Sequence, residues 1–102
     1  MSNNTEILLS VRLDTMTVRT FPVPIDEKVV GMSLDELKAF LEQKMSTEGI
    51  TFDNGFDLFN EIAKEPFTIS PFAAKDYSTC LNKCGNMFRL VVKAKGHVKL
   101  GL

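Results

Sequence analysis

The chain has 102 residues, which is enough for one domain with a single hydrophobic core and too few for two. Apolar residues make up 44% and charged residues 25%, the balance of a soluble globular protein, and the formal net charge of −1 excludes a protein that binds nucleic acid through its overall charge. No apolar run approaches the ~20 residues of a membrane span, and residues 1–6 lack the basic-then-apolar pattern of a signal peptide, so we expect a cytoplasmic location.

Two stretches near the start of the chain alternate apolar and polar residues, the period-two pattern of β-strands. In residues 6–13 every odd-numbered position is apolar, and in residues 17–25 Phe21, Val23 and Ile25 share one face. The polar break between the two stretches is short, so together they predict a β-hairpin.

Pro22 and Pro24 lie two residues apart in the second stretch, so their nitrogens point toward the same side of the strand. A proline nitrogen donates no hydrogen bond, and that side of the strand therefore has no partner strand. We predict an edge strand that pairs with the first strand through its other side. Its prolines also oppose unwanted pairing with other chains.

A helix is predicted to begin after Ser33. Ser33 and Glu36 have the spacing of a capping box, and apolar residues then recur at helical spacing. These residues are Leu34, Leu37, Phe40, Leu41 and Met45. Gly49 is a suitable end for this helix.

Two further strands are predicted in the C-terminal half. Residues 56–59 form a short apolar run behind a turn-like Asp-Asn-Gly sequence, and residues 87–95 alternate again. In that last strand Phe88, Leu90, Val92 and Ala94 face one way, and Arg89, Val91, Lys93 and Lys95 face the other. We predict that residues 96–102 form a short tail.

A hairpin, a helix, a short strand, an irregular segment and a long strand thus follow one another along the chain. The first strand has the edge strand on one side, so its other side is open to the last strand, and one helix can cover one face of the sheet. We predict a single α+β domain over residues 1–102, with its core at about residues 6–95 and a mixed sheet of four to five strands. This arrangement resembles the ubiquitin-like β-grasp fold.

Two sequence features narrow the resemblance further. The helix opening SLDEL at residues 33–37 and the ending CGNMFRLVVKAKG at residues 84–96 resemble the N-terminal GTPase-binding domains of formins, in particular the formin C-like group. The resemblance implies a regulatory module of an actin-assembly protein, recruited by a Rho- or Ras-family GTPase or placed at membranes. Actin would be bound only through other domains, and the module would be cytoplasmic and associated with the cytoskeleton.

Catalysis, a metal and a cofactor are not expected. His97 is the only histidine and lies in the predicted tail, and the sequence holds no serine motif, phosphate loop or metal-ligand cluster. Zinc sites usually need four ligands, and a disulfide between Cys80 and Cys84 would be unusual in a cytosolic protein. We interpret these two cysteines as packed or partly exposed thiols.

Charge is distributed unevenly along the chain. Residues 26–65 hold ten acidic and four basic residues, whereas residues 83–102 hold five basic residues and no acidic one. If the last strand lies beside the first, a basic patch forms on the sheet face away from the helix. It comprises Arg12, Arg89, Lys93 and Lys95. This patch is either a solvated sheet face or a surface that recognises acidic groups of a GTPase or of lipid headgroups.

The segment 64–77, KEPFTISPFAAKDY, is too apolar for an ordinary solvated loop, and its prolines disfavour a long helix or a central strand. Its candidate contact residues are Phe67, Ile69, Phe72, Lys64 and Lys75. In one interpretation the apolar members, Phe67 first among them, close the open end of the core. In another they are exposed, and the segment inserts into a membrane interface with its lysines near anionic headgroups. Contact with a protein is the third interpretation.

These features favour a non-catalytic targeting module that binds anionic phospholipid weakly and peripherally as a monomer, without binding nucleic acid. The first alternative is a Rho- or Ras-family GTPase bound through the basic sheet face. Docking by strand addition at the edge is disfavoured, because Pro22 and Pro24 remove two hydrogen-bond donors there. The second alternative is a structural module that docks within its own longer chain.

Overall fold

The computed structural model describes residues 5–12, 18–73, 82–85 and 87–100. The strands are β1 (Thr5–Arg12), β2 (Val18–Ile25), β3 (Ile50–Phe52), β4 (Phe56–Asn60), β5 (Glu65–Pro66), β6 (Asn82–Cys84), β7 (Met87–Ala94) and β8 (Val98–Leu100), and the helices are α1 (Glu27–Val30) and α2 (Leu34–Thr47). The four long elements of the sequence prediction, β1, β2, α2 and β7, are therefore confirmed to within one or two residues at each described end.

The main sheet is mixed and has the strand order β2-β1-β7-β4-β5, with β6 paired to the start of β7. β1 runs antiparallel to β2 and parallel to β7, while β4 runs antiparallel to both β7 and β5. The α+β class, the edge position of β2 and the position of β1 between β2 and β7 are as predicted. The prolines of β2 lie at this outer edge of the sheet, where no described strand needs a donor from them.

One face of the sheet and the inward side of α2 share a single core cluster. The alternation of β1 and β7 supplies one wall of it, and the helical stripe of α2 supplies the other. The fully buried members are Ile7, Leu9 and Val11 of β1, Leu90 and Val92 of β7, and Leu37, Leu41 and Met45 of α2. The predicted inward faces of both strands and of the helix are thus confirmed at these positions.

The start of α2 is the predicted capping box. The Glu36 backbone N–H donates to Ser33 Oγ at 3.2 Å, and the Ser33 N–H donates to Glu36 Oε1 at 3.0 Å. The backbone hydrogen bond from Ser33, helped by the Ser33 side chain, lowers the pKa of the Glu36 carboxyl below its ordinary value of 4.5. The helix ends at Thr47, and Gly49 follows with φ +80°, which agrees with its predicted role as a stop.

Five short elements of the described chain were not predicted: α1, β3, β5, β6 and β8. α1 is a single turn whose N-terminus is capped by Asp26, which accepts a hydrogen bond from the Val29 N–H at 2.9 Å. β3 and β8 form a separate antiparallel ribbon in which Ile50 lies opposite Leu100. The prediction of a tail after residue 95 is therefore wrong for Val98–Leu100.

The chain reaches β8 through a turn at Gly96. Gly96 has φ +107°, a conformation that L side chains rarely adopt. The turn is held by two backbone hydrogen bonds, from the Lys95 N–H to the Gly55 oxygen at 3.0 Å and from the Asp53 N–H to the His97 oxygen at 3.1 Å. Val98 then packs against the core cluster, so apolar burial as well as strand pairing retains this end of the chain.

We expect Gly96→Ala to lower the free energy of unfolding by more than Gly55→Ala does. Both glycines have positive φ values, +107° and +78°, and a Cβ in the left-handed region costs about 1–2 kcal/mol. The φ of Gly96 lies farther from the left-handed well near +57° than that of Gly55, and a Cβ at Gly96 would also displace the Asn54 side-chain amide, 2.7 Å away, whereas it would meet nothing within 4 Å at Gly55. Urea unfolding of the two variants measures the difference, and equal losses would show that the larger φ of Gly96 and the displacement of Asn54 cost no additional free energy.

Candidate functional site

The sheet face away from α2, called the outer face below, carries three of the four predicted basic residues. The parallel register pairs Leu8 with Arg89 and Arg12 with Lys93 across β1 and β7, so these four side chains share that face. Lys95 follows the end of β7 and is exposed. The structure therefore brings Arg12, Arg89 and Lys93 to the outer face. Lys95 instead lines a cavity beside α2 and shares Asp57 with Lys38 of that helix, so its assignment to the patch is wrong.

Carboxylates from β4 and from the turn after it neutralise part of this patch. Glu61 accepts a hydrogen bond from Arg89 at 2.7 Å, and Asp57 Oδ1 lies 3.4 Å from Lys95 Nζ. Lys93 Nζ lies 4.6 Å from the centre of the Phe59 ring, a cation–π distance. Among the described residues no carboxylate pairs with Arg12 or Lys93. Fewer cations of the predicted patch therefore lack an acidic partner than the sequence pattern indicates.

Arg89 has the most constrained environment of these cations. Its side chain is 37% exposed and that of Glu61 is 25% exposed, so water screens their attraction less than on an open surface. The Arg89 Nη2 group donates to Glu61, while the buried Nε has no acceptor among the described residues. A buried donor without a partner costs about 1–3 kcal/mol. The guanidinium group therefore retains hydrogen-bonding capacity that this contact does not use.

The turn between β4 and β5, residues 61–64, is built on Asn60. The Asn60 side-chain oxygen accepts hydrogen bonds from the backbone N–H groups of Ile62 at 3.0 Å and Ala63 at 3.1 Å, and the Lys64 N–H donates to the Asn60 carbonyl at 2.8 Å. Lys64 closes the turn with φ +63°. These bonds direct Ile62 outward, where it is 51% exposed. Ile62 is not among the predicted contact residues, although an asparagine that directly follows a short apolar run is a turn signal.

The predicted contact residues of segment 64–77 have different environments. Ile69 is 60% exposed and Lys64 is also exposed, as the membrane interpretation requires. Phe67 is half-buried and packs against the core, which agrees with its predicted capping role. Lys75 lies outside the described residues, as does Cys80 and the side chain of Cys84.

Phe72 is a core residue, and its assignment as a membrane contact is wrong. It is 4% exposed and belongs to the main core cluster. The cause is a local turn at Ser70, whose side-chain oxygen accepts a hydrogen bond from the Phe72 N–H at 3.3 Å and whose carbonyl accepts one from Ala73 at 3.0 Å. This turn buries Ser70, Pro71 and Phe72 together, and the burial interpretation therefore holds for this part of the segment.

The described residues contain no group of three or more His, Cys, Asp or Glu side chains that could hold a metal ion. A cavity of about 350 Å³ lies between α2 and residues 54–56, with Asp35 and Glu42 on the helix side and Lys95 opposite. Within the described ranges, no helix is both long and apolar enough to cross a bilayer.

No protein-family model matches the chain, and no curated protein or solved structure gives a match.

The contrast between Phe72 and Ile69 gives a stability prediction. Phe72→Ala should lower the free energy of unfolding by about 3–5 kcal/mol, because it removes a core ring and leaves a cavity. Ile69→Ala should change it by about 0.5 kcal/mol or less, because most of that side chain is already in water. Denaturant unfolding of both variants tests the assignment, and a large loss for Ile69→Ala would show that this side chain is packed.

Proposed function

We propose that this chain is a non-catalytic, ubiquitin-like module that attaches a formin-type actin-assembly protein weakly to anionic membrane surfaces. The β-grasp part of the proposal is supported by the strand order β2-β1-β7-β4-β5, with a parallel central pair and one long helix on a single face. The formin part is supported by the sequence resemblance of residues 33–37 and 84–96.

One observation carries the membrane proposal. The large apolar side chains that are exposed among the described residues, Ile62 and Ile69, both lie in the short stretch around β5. Lys64 lies between them in sequence, and Arg89 contacts Glu61, the residue directly before Ile62. Apolar side chains beside basic groups are the combination that a peripheral membrane contact needs.

The magnitudes favour weak and reversible attachment. Full burial of an isoleucine side chain contributes about 1.5–3 kcal/mol, but part of Ile62 and Ile69 already faces protein, so each contributes less. A basic residue near an anionic surface contributes about 1 kcal/mol. A few such terms give a peripheral contact that needs a second attachment elsewhere in the full protein for stable anchoring.

Vesicle co-sedimentation tests the proposal. The chain should bind phosphatidylcholine vesicles that contain phosphatidylserine or phosphoinositide more tightly than pure phosphatidylcholine vesicles. Replacing Ile62 and Ile69 together by Asn keeps the net charge and should weaken binding about tenfold, the equivalent of 1.4 kcal/mol. No binding to either vesicle type, or unchanged binding of the double variant, would refute it.

Two lysine variants provide a charge-matched control. Lys64→Gln and Lys44→Gln remove the same charge from exposed positions, one in the β4–β5 turn and the other on α2. Only Lys64→Gln should weaken binding to anionic vesicles appreciably. Equal losses would mean that the overall charge, rather than this turn, determines attachment.

Binding of a GTPase through the outer face is the second candidate function. One pair in the register of β1 and β7 favours it. Arg12 lies directly opposite Lys93, and together they can meet acidic side chains of a partner. We expect titration with GTP-loaded Rho- and Ras-family proteins to saturate in the micromolar range if this candidate is correct. Replacing both residues by Glu should abolish the binding, and indifference to the bound nucleotide would contradict it.

A further inference from the structure

We infer that Arg89 is a binding site for a lipid phosphate and that Glu61 competes for it from within the protein. In the free protein the Arg89 guanidinium group donates a hydrogen bond to the Glu61 carboxylate. At an anionic bilayer a headgroup phosphate replaces this carboxylate as the acceptor. The inference rests on the proposed membrane function and adds a residue pair that sets its affinity.

The Arg89–Glu61 pair lies at the base of the β4–β5 turn. Arg89 lies on β7 and Glu61 directly follows β4, and their contact of 2.7 Å ties the turn to the sheet. Ile62 is the next residue and is half-exposed. When Ile62 enters the bilayer interface, the neighbouring Glu61 and the guanidinium group that it contacts come close to the headgroups.

The two competing acceptors have similar chemistry. A carboxylate and a phosphate both accept charge-assisted hydrogen bonds from arginine, and both match the fork of its N–H groups. Glu61 is bonded to Nη2. The Arg89 side chain as a whole is 37% exposed, so a headgroup phosphate can approach the guanidinium group from the solvent side, although Nε itself is buried. The exchange therefore replaces one strong contact by another of the same kind.

The bilayer itself biases this exchange. Its negative surface potential attracts the guanidinium group and repels the Glu61 carboxylate, and both effects weaken the internal pair. Away from the membrane the pair is intact and the positive charge of Arg89 is compensated. Glu61 thus lowers the affinity of the module for anionic surfaces, and its removal should raise that affinity.

The test compares Glu61→Gln with Glu65→Gln. Both variants remove one negative charge from the β4–β5 hairpin, but Glu65 is an exposed residue of β5 and does not contact Arg89. We expect both to bind phosphatidylserine vesicles somewhat more tightly through the general charge effect, and Glu61→Gln to gain about two- to fivefold beyond Glu65→Gln. With Arg89→Gln added to each, this extra gain should disappear. Equal binding of the two single variants would overturn the inference.

A spectroscopic measurement on the unmodified chain avoids any effect of the substitutions on folding. The Arg89 Nε–H signal should shift when phosphatidylserine nanodiscs are added, and it should not shift with phosphatidylcholine nanodiscs. An unchanged signal under conditions of binding, or an equal shift with inorganic phosphate alone, would overturn the membrane-dependent exchange.

The two proposals can fail separately. If neither the unmodified chain nor Glu61→Gln binds anionic vesicles, the membrane function and the inference both fall. If the unmodified chain binds but Glu61→Gln behaves like Glu65→Gln, only the role of the Glu61–Arg89 pair falls.

Discussion

The parallel pairing of β1 with β7 is the constraint on which the rest of the domain depends. These strands come from opposite ends of the described chain, and their register runs from Ile7 opposite Phe88 to Arg12 opposite Lys93. Bringing them together closes a long loop at an entropic cost, which the shared core with α2 has to offset. A slip of one residue would exchange the buried and exposed faces of a strand. Burial of the apolar residues on the inner face of the sheet therefore also fixes the positions of the basic residues on the outer face.

The position of β4 determines how many of the nearby basic side chains have an acidic partner. It pairs with β7 on the side away from β1, so the carboxylates of Asp57 and Glu61 come within reach of Lys95 and Arg89. The outer face is consequently a mixture of paired and unpaired cations. Such a surface attracts anionic groups only moderately, and its affinity depends on whether the internal pairs persist.

The regular elements of this domain could be predicted because each carries a local signal with one structural meaning. The alternation in β1, the capping residues of α2 and the shared parity of Pro22 and Pro24 each favour one arrangement. β8 has no such signal, since it is three residues long and depends on the conformation of Gly96 and on a partner, β3, that is distant in sequence. Its existence follows from tertiary contacts that the local sequence does not encode.

The candidate site was harder to predict for a different reason. In an irregular segment no periodicity tells which side chains face the core, and single hydrogen bonds decide it. Ser70 turns the chain so that Phe72 is buried, and Asn60 turns it so that Ile62 is exposed. Residue type alone favoured the opposite outcome, because an aromatic residue in a loop is a more familiar membrane contact than an isoleucine in a tight turn.

The hydrogen bonds of the β4–β5 turn determine how much conformational freedom the turn would lose in the proposed membrane contact. Two backbone N–H groups bonded to Asn60 and the tie between Glu61 and Arg89 hold the turn in place before any membrane is met. If this turn inserts as proposed, its preorganisation would reduce the loss of conformational entropy, so a small apolar area would suffice for measurable binding. The same rigidity limits the affinity, because the turn cannot unfold to bury more surface. The proposed membrane contact would therefore form and break quickly, and it would need a second contact for stable anchoring.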